Sequence, residues 1–147
     1  MKARVFLSTL LIFLLVGAQA QFGKIPLEVT IAFKAKYPKA ENVQWKSRFS
    51  SYKADFDLKD THCAAQFNDK AQWVKTESRL TYNKLPNEVS DGFHKSLYTS
   101  WEYTEIVKME EKNKDVVYRV RVKKSDFEKK YLYFNTKGQL QRESITL

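Results

Sequence analysis

The chain repeats itself. Ile25-Pro26-x-Glu28-Val29-x-x-Ala32-Phe33 recurs as Leu85-Pro86-x-Glu88-Val89-x-x-Gly92-Phe93, and Phe67-Asn68-x-Lys70-Ala71-Gln72 recurs as Phe134-Asn135-x-Lys137-Gly138-Gln139. The order of the two segments is the same in both halves. Self-similarity at a fixed period points to a duplicated unit, which must bury its apolar side against itself or its copy. The expected organisation is a leader at 1–20 and two units, 21–82 and 83–147.

The first segment of each unit predicts a helix. Pro26 and Pro86 suit a first helical turn, where a missing N–H is tolerated. Val29, Ala32, Phe33 and Tyr37 fall on one helical stripe, and Val89, Gly92, Phe93 and Leu97 repeat it. Pro38 ends the first helix.

Four strands are expected after each helix, over 42–47, 52–58, 62–68 and 72–80, then 103–110, 116–123, 129–134 and 139–145. Tyr52, Ala54, Phe56 and Leu58 alternate with Lys53, Asp55, Asp57 and Lys59; Val116, Tyr118, Val120 and Val122 alternate with Val117, Arg119, Arg121 and Lys123. Such alternation describes antiparallel strands with one wet face. Gly138 can take the positive φ of a tight turn. The extra residues of the second unit are assigned to 100–105 and 123–128. The fold class is α+β: a tandem repeat of two α-β-β-β-β units, with an antiparallel sheet of up to eight strands and both helices on one face.

Lys2 and Arg4, the apolar run from Val5 to Val16 and Ala18-Gln19-Ala20 have the charge, length and terminal residues of a Sec signal peptide, cleaved before Gln21. The run is too short for a spanning helix of about 20 residues. An exported protein, periplasmic or secreted, is expected, with no membrane segment after cleavage. The formal charge is +9, or +7 without Lys2 and Arg4. Cys63 is the single cysteine, so no intramolecular disulfide can form. It could be a reactive thiol or an intermolecular bridge. Its alternation with His62 and Ala64 instead sets it on the Phe67 side of its strand, in the core.

The duplicated Pro-x-Glu-Val-x-x-Ala/Gly-Phe helix, the Tyr-rich strands and the Phe-Asn-x-Lys-Gly-Gln hairpin resemble the PepSY-like family of exported bacterial proteins. That family is described as similar to the beta-lactamase inhibitor protein. The resemblance covers about residues 25–145. It implies helix-plus-sheet units and an inhibitory or binding role, and it brings no catalytic residues.

No catalytic constellation can be assembled from the sequence. His62 falls on a wet strand face and His94 lies off the Val89–Phe93 stripe; neither belongs to a metal-ligand spacing. There is no Gly-x-Ser-x-Gly elbow and no Gly-rich phosphate loop. His62 and Cys63, adjacent in a strand, point to opposite faces. Asp55 and Asp57 share a face, but Lys53 and Lys59 flank them, which describes a solvated charged surface. No cofactor, no metal and no enzymatic activity are expected.

The most suggestive surface is the sheet face opposite the helices in the second unit. Arg119 and Arg121 project there from one strand, Tyr131 and Tyr133 from the next, close enough to form one patch. Tyr and Arg are enriched at binding hot spots, although they also serve strand propensity and solubility. Trp45 and Trp73 are core candidates. The expectation is a non-enzymatic exported binding protein whose partner is a protein, such as an exported hydrolase. The alternative is an envelope-associated protein that binds an anionic glycan or lipid surface through its positive charge. The export signal argues against nucleic acid.

Overall fold

The computed structural model describes residues 24–146. The expected leader at 1–20, its cleavage before Gln21, and Leu147 lie outside the described residues. The elements run in the order α1 (Leu27–Lys36), β1 (Glu41–Arg48), β2 (Ser51–Leu58), β3 (Thr61–Asn68), β4 (Trp73–Leu80), a 3-10 turn (Tyr82–Lys84), α2 (Asn87–His94), β5 (Glu102–Glu111), β6 (Val117–Lys123), β7 (Lys129–Asn135) and β8 (Leu140–Thr146). The strands form one eight-stranded sheet in sequence order, and every neighbouring pair is antiparallel. The fold is α+β, with a single sheet and two helices.

Both helices begin directly after a proline. The carbonyl oxygens of Pro26 and Pro86 accept the first helical hydrogen bonds, from the N–H of Thr30 and Ser90. Each helix buries a valine and a phenylalanine against its own set of strands. Val29 and Phe33 pack with Ala54, Phe56, Cys63, Ala65 and Phe67. Val89 and Phe93 pack with Ile106, Tyr118, Val120, Val122, Leu132 and Phe134. Residues directly opposite in an antiparallel pair point to the same side of the sheet. The register runs from Cys63 to Ser78, from Ser78 to Lys108 and from Lys108 to Tyr118. It therefore places both clusters, and both helices, on one side.

The two clusters are not fused. On the helix side of β4 and β5, Thr76, Ser78, Lys108 and Glu110 stand between them, and Lys108 pairs with Glu110 at 3.1 Å. Half-buried Tyr37 adds a hydrogen bond from the first cluster to the buried Thr76, which also accepts from Trp73 Nε1. Trp45 and Trp73 pack partly buried against that cluster.

Three expectations need correction. Leu97 does not continue the α2 stripe: it is 91% exposed. The helix ends at His94, and the Lys95 N–H closes back on Asp91 and Phe93. Partly buried Tyr98 and Trp101 cover that end of the core instead. The extra length of the second half sits mostly in the β5–β6 connection. Trp45 pairs with Ala54 across a tight turn at Phe49–Ser50, whereas Ile106 pairs with Val120 across the longer loop 112–116. Lys59 belongs to the β2–β3 turn, at φ 54°, and does not flank Asp57 on the strand.

Candidate functional site

The side of the sheet away from the helices carries no helix. Strand parity sets Arg119 and Arg121 of β6 there, with Tyr131 and Tyr133 of β7 beside them. Arg121 is opposite Tyr131 and Arg119 is opposite Tyr133. All four are half-buried, so each offers contact area while its position is held by its neighbours. The structure thus brings together the four residues that the alternation pattern singled out.

Their geometry is a stack of guanidinium groups on phenol rings. The Arg119 guanidinium carbon lies 4.9 Å from the Tyr131 ring centre, and that of Arg121 lies 6.0 Å from the same ring. Both fall within the range in which a cation is attracted to the electron-rich face of an aromatic ring. The stacking leaves part of each guanidinium without a partner: Nε of Arg119 and Nε of Arg121 are buried and have no acceptor.

Four further residues complete the surface, and the alternation pattern did not single them out. Arg142 of β8 pairs with Tyr133 and sets its guanidinium 4.0 Å from that ring centre. Glu105 of β5 and Glu77 of β4 reach Arg119 at 3.4 and 4.0 Å. Arg79 adds a 3.8 Å contact to Glu105. Alternation counted from the Asn135–Gly138 turn would set Gln141 across from Tyr133; a bulge between Tyr133 and Phe134 shifts the register by one residue and sets Arg142 there instead. What parity cannot show is that Glu105, opposite Arg121 in register, turns to Arg119 and Arg79 instead.

Burial pushes the Glu77 carboxyl up, but its hydrogen bond with Lys75 and the nearby charges of Lys75 and Arg119 outweigh this and hold it below its usual range. Asp55 behaves the same way. Burial raises it, and the hydrogen bonds of Lys53 and Lys46 at 2.9 Å bring it lower. Asp57 is lowered by Asn42 and then by His62, whose Nδ1 lies 3.1 Å away. The two aspartates are therefore engaged in separate local pairs.

A hollow of about 440 Å³ opens at the end of this face, beside loop 112–116; Met109, Val116, Val117 and Tyr133 are its apolar lining, and Glu111, Lys114, Asp115 and Arg142 its charged lining. The thiol of Cys63 lies on the helix side, 5% exposed and 3.4 Å from Ser78 Oγ, and burial pushes its pKa up. His94 is exposed and hydrogen-bonds to Tyr82. Among the described residues, no group of three or more His, Cys, Asp or Glu is arranged to hold a metal ion, and no helix is long and apolar enough to cross a membrane.

The fold is shared with solved bacterial proteins. A DUF2874 family protein from Bacteroides ovatus superposes with a TM-score of 0.78 at 25% identity, over 83% of this chain and 88% of its own. A BLIP-like protein from Bacteroides fragilis gives 0.78 at 29% identity, over 84% of this chain and 89% of its own. A Bacteroides eggerthii structure described as one of the "putative periplasmic proteins" gives 0.76 at 24% identity, over 84% of this chain and 90% of its own. No curated protein matches the chain. The family profile described as "Putative beta-lactamase-inhibitor-like, PepSY-like" matches residues 50–142, from the second strand to the last. With most of its sheet inside that profile, the chain belongs to the PepSY-like family of beta-lactamase-inhibitor-like proteins.

Proposed function

We propose that this protein is an exported, non-enzymatic, inhibitor-like binding module that engages a protein partner through the helix-free face of its sheet. The observation that carries the reading is the Arg–Tyr stack. Arg119, Arg121, Tyr131 and Tyr133, joined by Arg142, form a pre-positioned surface of the residue types that dominate binding hot spots. Family membership and the likeness to a BLIP-like protein support an inhibitor-like role. An exported hydrolase is the partner class that fits it. The leader pattern at 1–20 supports export, as does the periplasmic description of the Bacteroides eggerthii structure. The matched motifs and the helix-plus-four-strand order met twice support a duplication with units 21–82 and 83–147.

The test is affinity capture from periplasm and culture medium with the wild-type protein, Arg121→Glu and Tyr133→Ala. Alanine at Ile31, exposed on α1 on the other side of the sheet, serves as the control. The reading expects a protein held by the wild type and the control and lost from both open-face variants. Adding the protein to the captured hydrolase should lower its turnover. Capture of nothing, or equal capture by all four proteins, would overturn it.

A further inference from the structure

The open face has an uneven charge balance, and the imbalance names a ligand chemistry. Arg119 is compensated by Glu105 and Glu77. Among the described residues, no carboxylate lies within ion-pair distance of Arg121 or Arg142; their guanidinium groups lie against tyrosine rings. Glu105 could have met Arg121 across the strand pair but is drawn to Arg119 and Arg79. Arg121 is therefore a half-buried cation whose Nε–H is buried without an acceptor. An incoming carboxylate that turned this guanidinium would gain a charge-assisted pair and satisfy a donor that is idle in the free protein.

The hollow lies on the same face. Val117, one of its apolar lining residues, is in the same strand as Arg121 and on the same side. Four residue steps along the strand separate them, about 13 Å. An extended chain laid along β6 presents side chains at i and i+4 at the same spacing of about 13 Å.

Resting on the reading of this face as a protein-binding surface, we propose that its occupant is an extended acidic segment of the partner. One apolar side chain would enter the Met109–Val117–Tyr133 hollow, and an Asp or Glu four residues along would pair with Arg121. Of the charged residues that line the hollow, Glu111 is held by Lys114, and Arg142 would meet a second acidic residue beside the apolar one, on the side away from Asp115 and toward Tyr133. The two sites together set both sequence and direction for the segment.

The experiment uses the purified protein and synthetic nonapeptides carrying Phe and Glu at i,i+2, i,i+4 or i,i+6, with Gln and Lys versions of each. Binding is followed on the Arg121 Nε–H and Met109 methyl resonances. The i,i+4 peptide should move both signals together and bind most tightly. Glu→Gln in the peptide should weaken it about tenfold, as expected for losing a charge-assisted hydrogen bond. Arg121→Gln should cost the same factor, with no further loss when both changes are combined. Circular dichroism confirms the fold of that variant, and Arg142→Gln gives a second, more exposed site at which binding should weaken.

Equal binding of the Lys peptide, no preference for i,i+4, or no peptide response alongside a response to phosphatidylglycerol vesicles would each overturn the proposal. A captured partner that depends on Tyr133 but not on Arg121 would also overturn it while leaving the open-face reading intact. Failure to capture any partner counts against that reading alone, because the peptide measurement needs no partner.

Discussion

Gly92 and Gly138 touch each other. A Cβ built on Gly92 would overlap the Gly138 carbonyl oxygen, and one on Gly138 would overlap the carbonyl oxygen of Glu88. Helix α2 thus rests backbone to backbone on the β7–β8 turn, where Gly138 holds φ +75°. The first half has Ala32 and Ala71 at the matching motif positions, with Ala71 at φ 57°. The joint change from alanine to glycine is visible in the two motifs, and so was the positive φ of Gly138. The contact was not legible, because it arises only when the helix docks. Gly138→Ala adds a left-handed penalty of about 1–2 kcal/mol to a backbone overlap costing about 1–3 kcal/mol. A loss of about 3 kcal/mol in urea unfolding is expected. Ala71→Gly should change stability by less than about 1 kcal/mol, since relief of the left-handed strain offsets the added chain entropy and the lost methyl contact. An unchanged midpoint for Gly138→Ala would mean that the turn and helix separate easily.

At the scale of elements, strand parity was the most legible property. It placed Cys63 inside, His62 outside and the Arg–Tyr patch on the helix-free face, because a period of two admits no compromise once one face is buried. Helix length was less legible. Leu97 continues the apolar spacing of α2, yet the chain turns at Lys95 and leaves it in solvent. Spacing alone cannot locate a stop that has no proline. Pairing between charged side chains was the least legible, since Glu105 selects between two arginines by rotamer. The strands with paired carboxylates carry a pH signature. Asp55 on β2 and Glu77 on β4 have lowered pKa values in the fold. Such groups bind protons less readily folded than unfolded, so their contribution is complete above the ordinary carboxylate range, about pH 4, and is lost as pH falls through it. The urea midpoint should therefore be flat near neutrality and decline below about pH 4. Glu77→Gln should make that decline shallower, and an identical pH profile for this variant would remove Glu77 from the account.

The whole molecule combines two cores with one sheet. The apolar clusters under α1 and α2 are separated by the polar seam of Thr76, Ser78, Lys108 and Glu110. Hydrophobic packing alone would let the halves unfold independently. The backbone argues otherwise. Strands β4 and β5 pair along six successive residues, from Lys75 with Glu111 to Leu80 with Ile106. On the helix-free side, Val107 is 2% exposed, with Arg79 and Arg119 as its cross-strand neighbours. Parting the halves would expose this valine and leave two long strand edges unpaired. Each half is also near the size at which a lone domain is marginal, about 60 residues. The protein should consequently unfold in one cooperative step despite its two cores. Tryptophan fluorescence can check this, because Trp45 and Trp73 report on the first cluster and Trp101 on the second. Variants that keep only Trp45 or only Trp101 should give coincident urea midpoints, and fragments ending or beginning at Thr81 should show no cooperative transition. Two separated midpoints, or a fragment that folds alone, would show that the β4–β5 seam joins two independent domains.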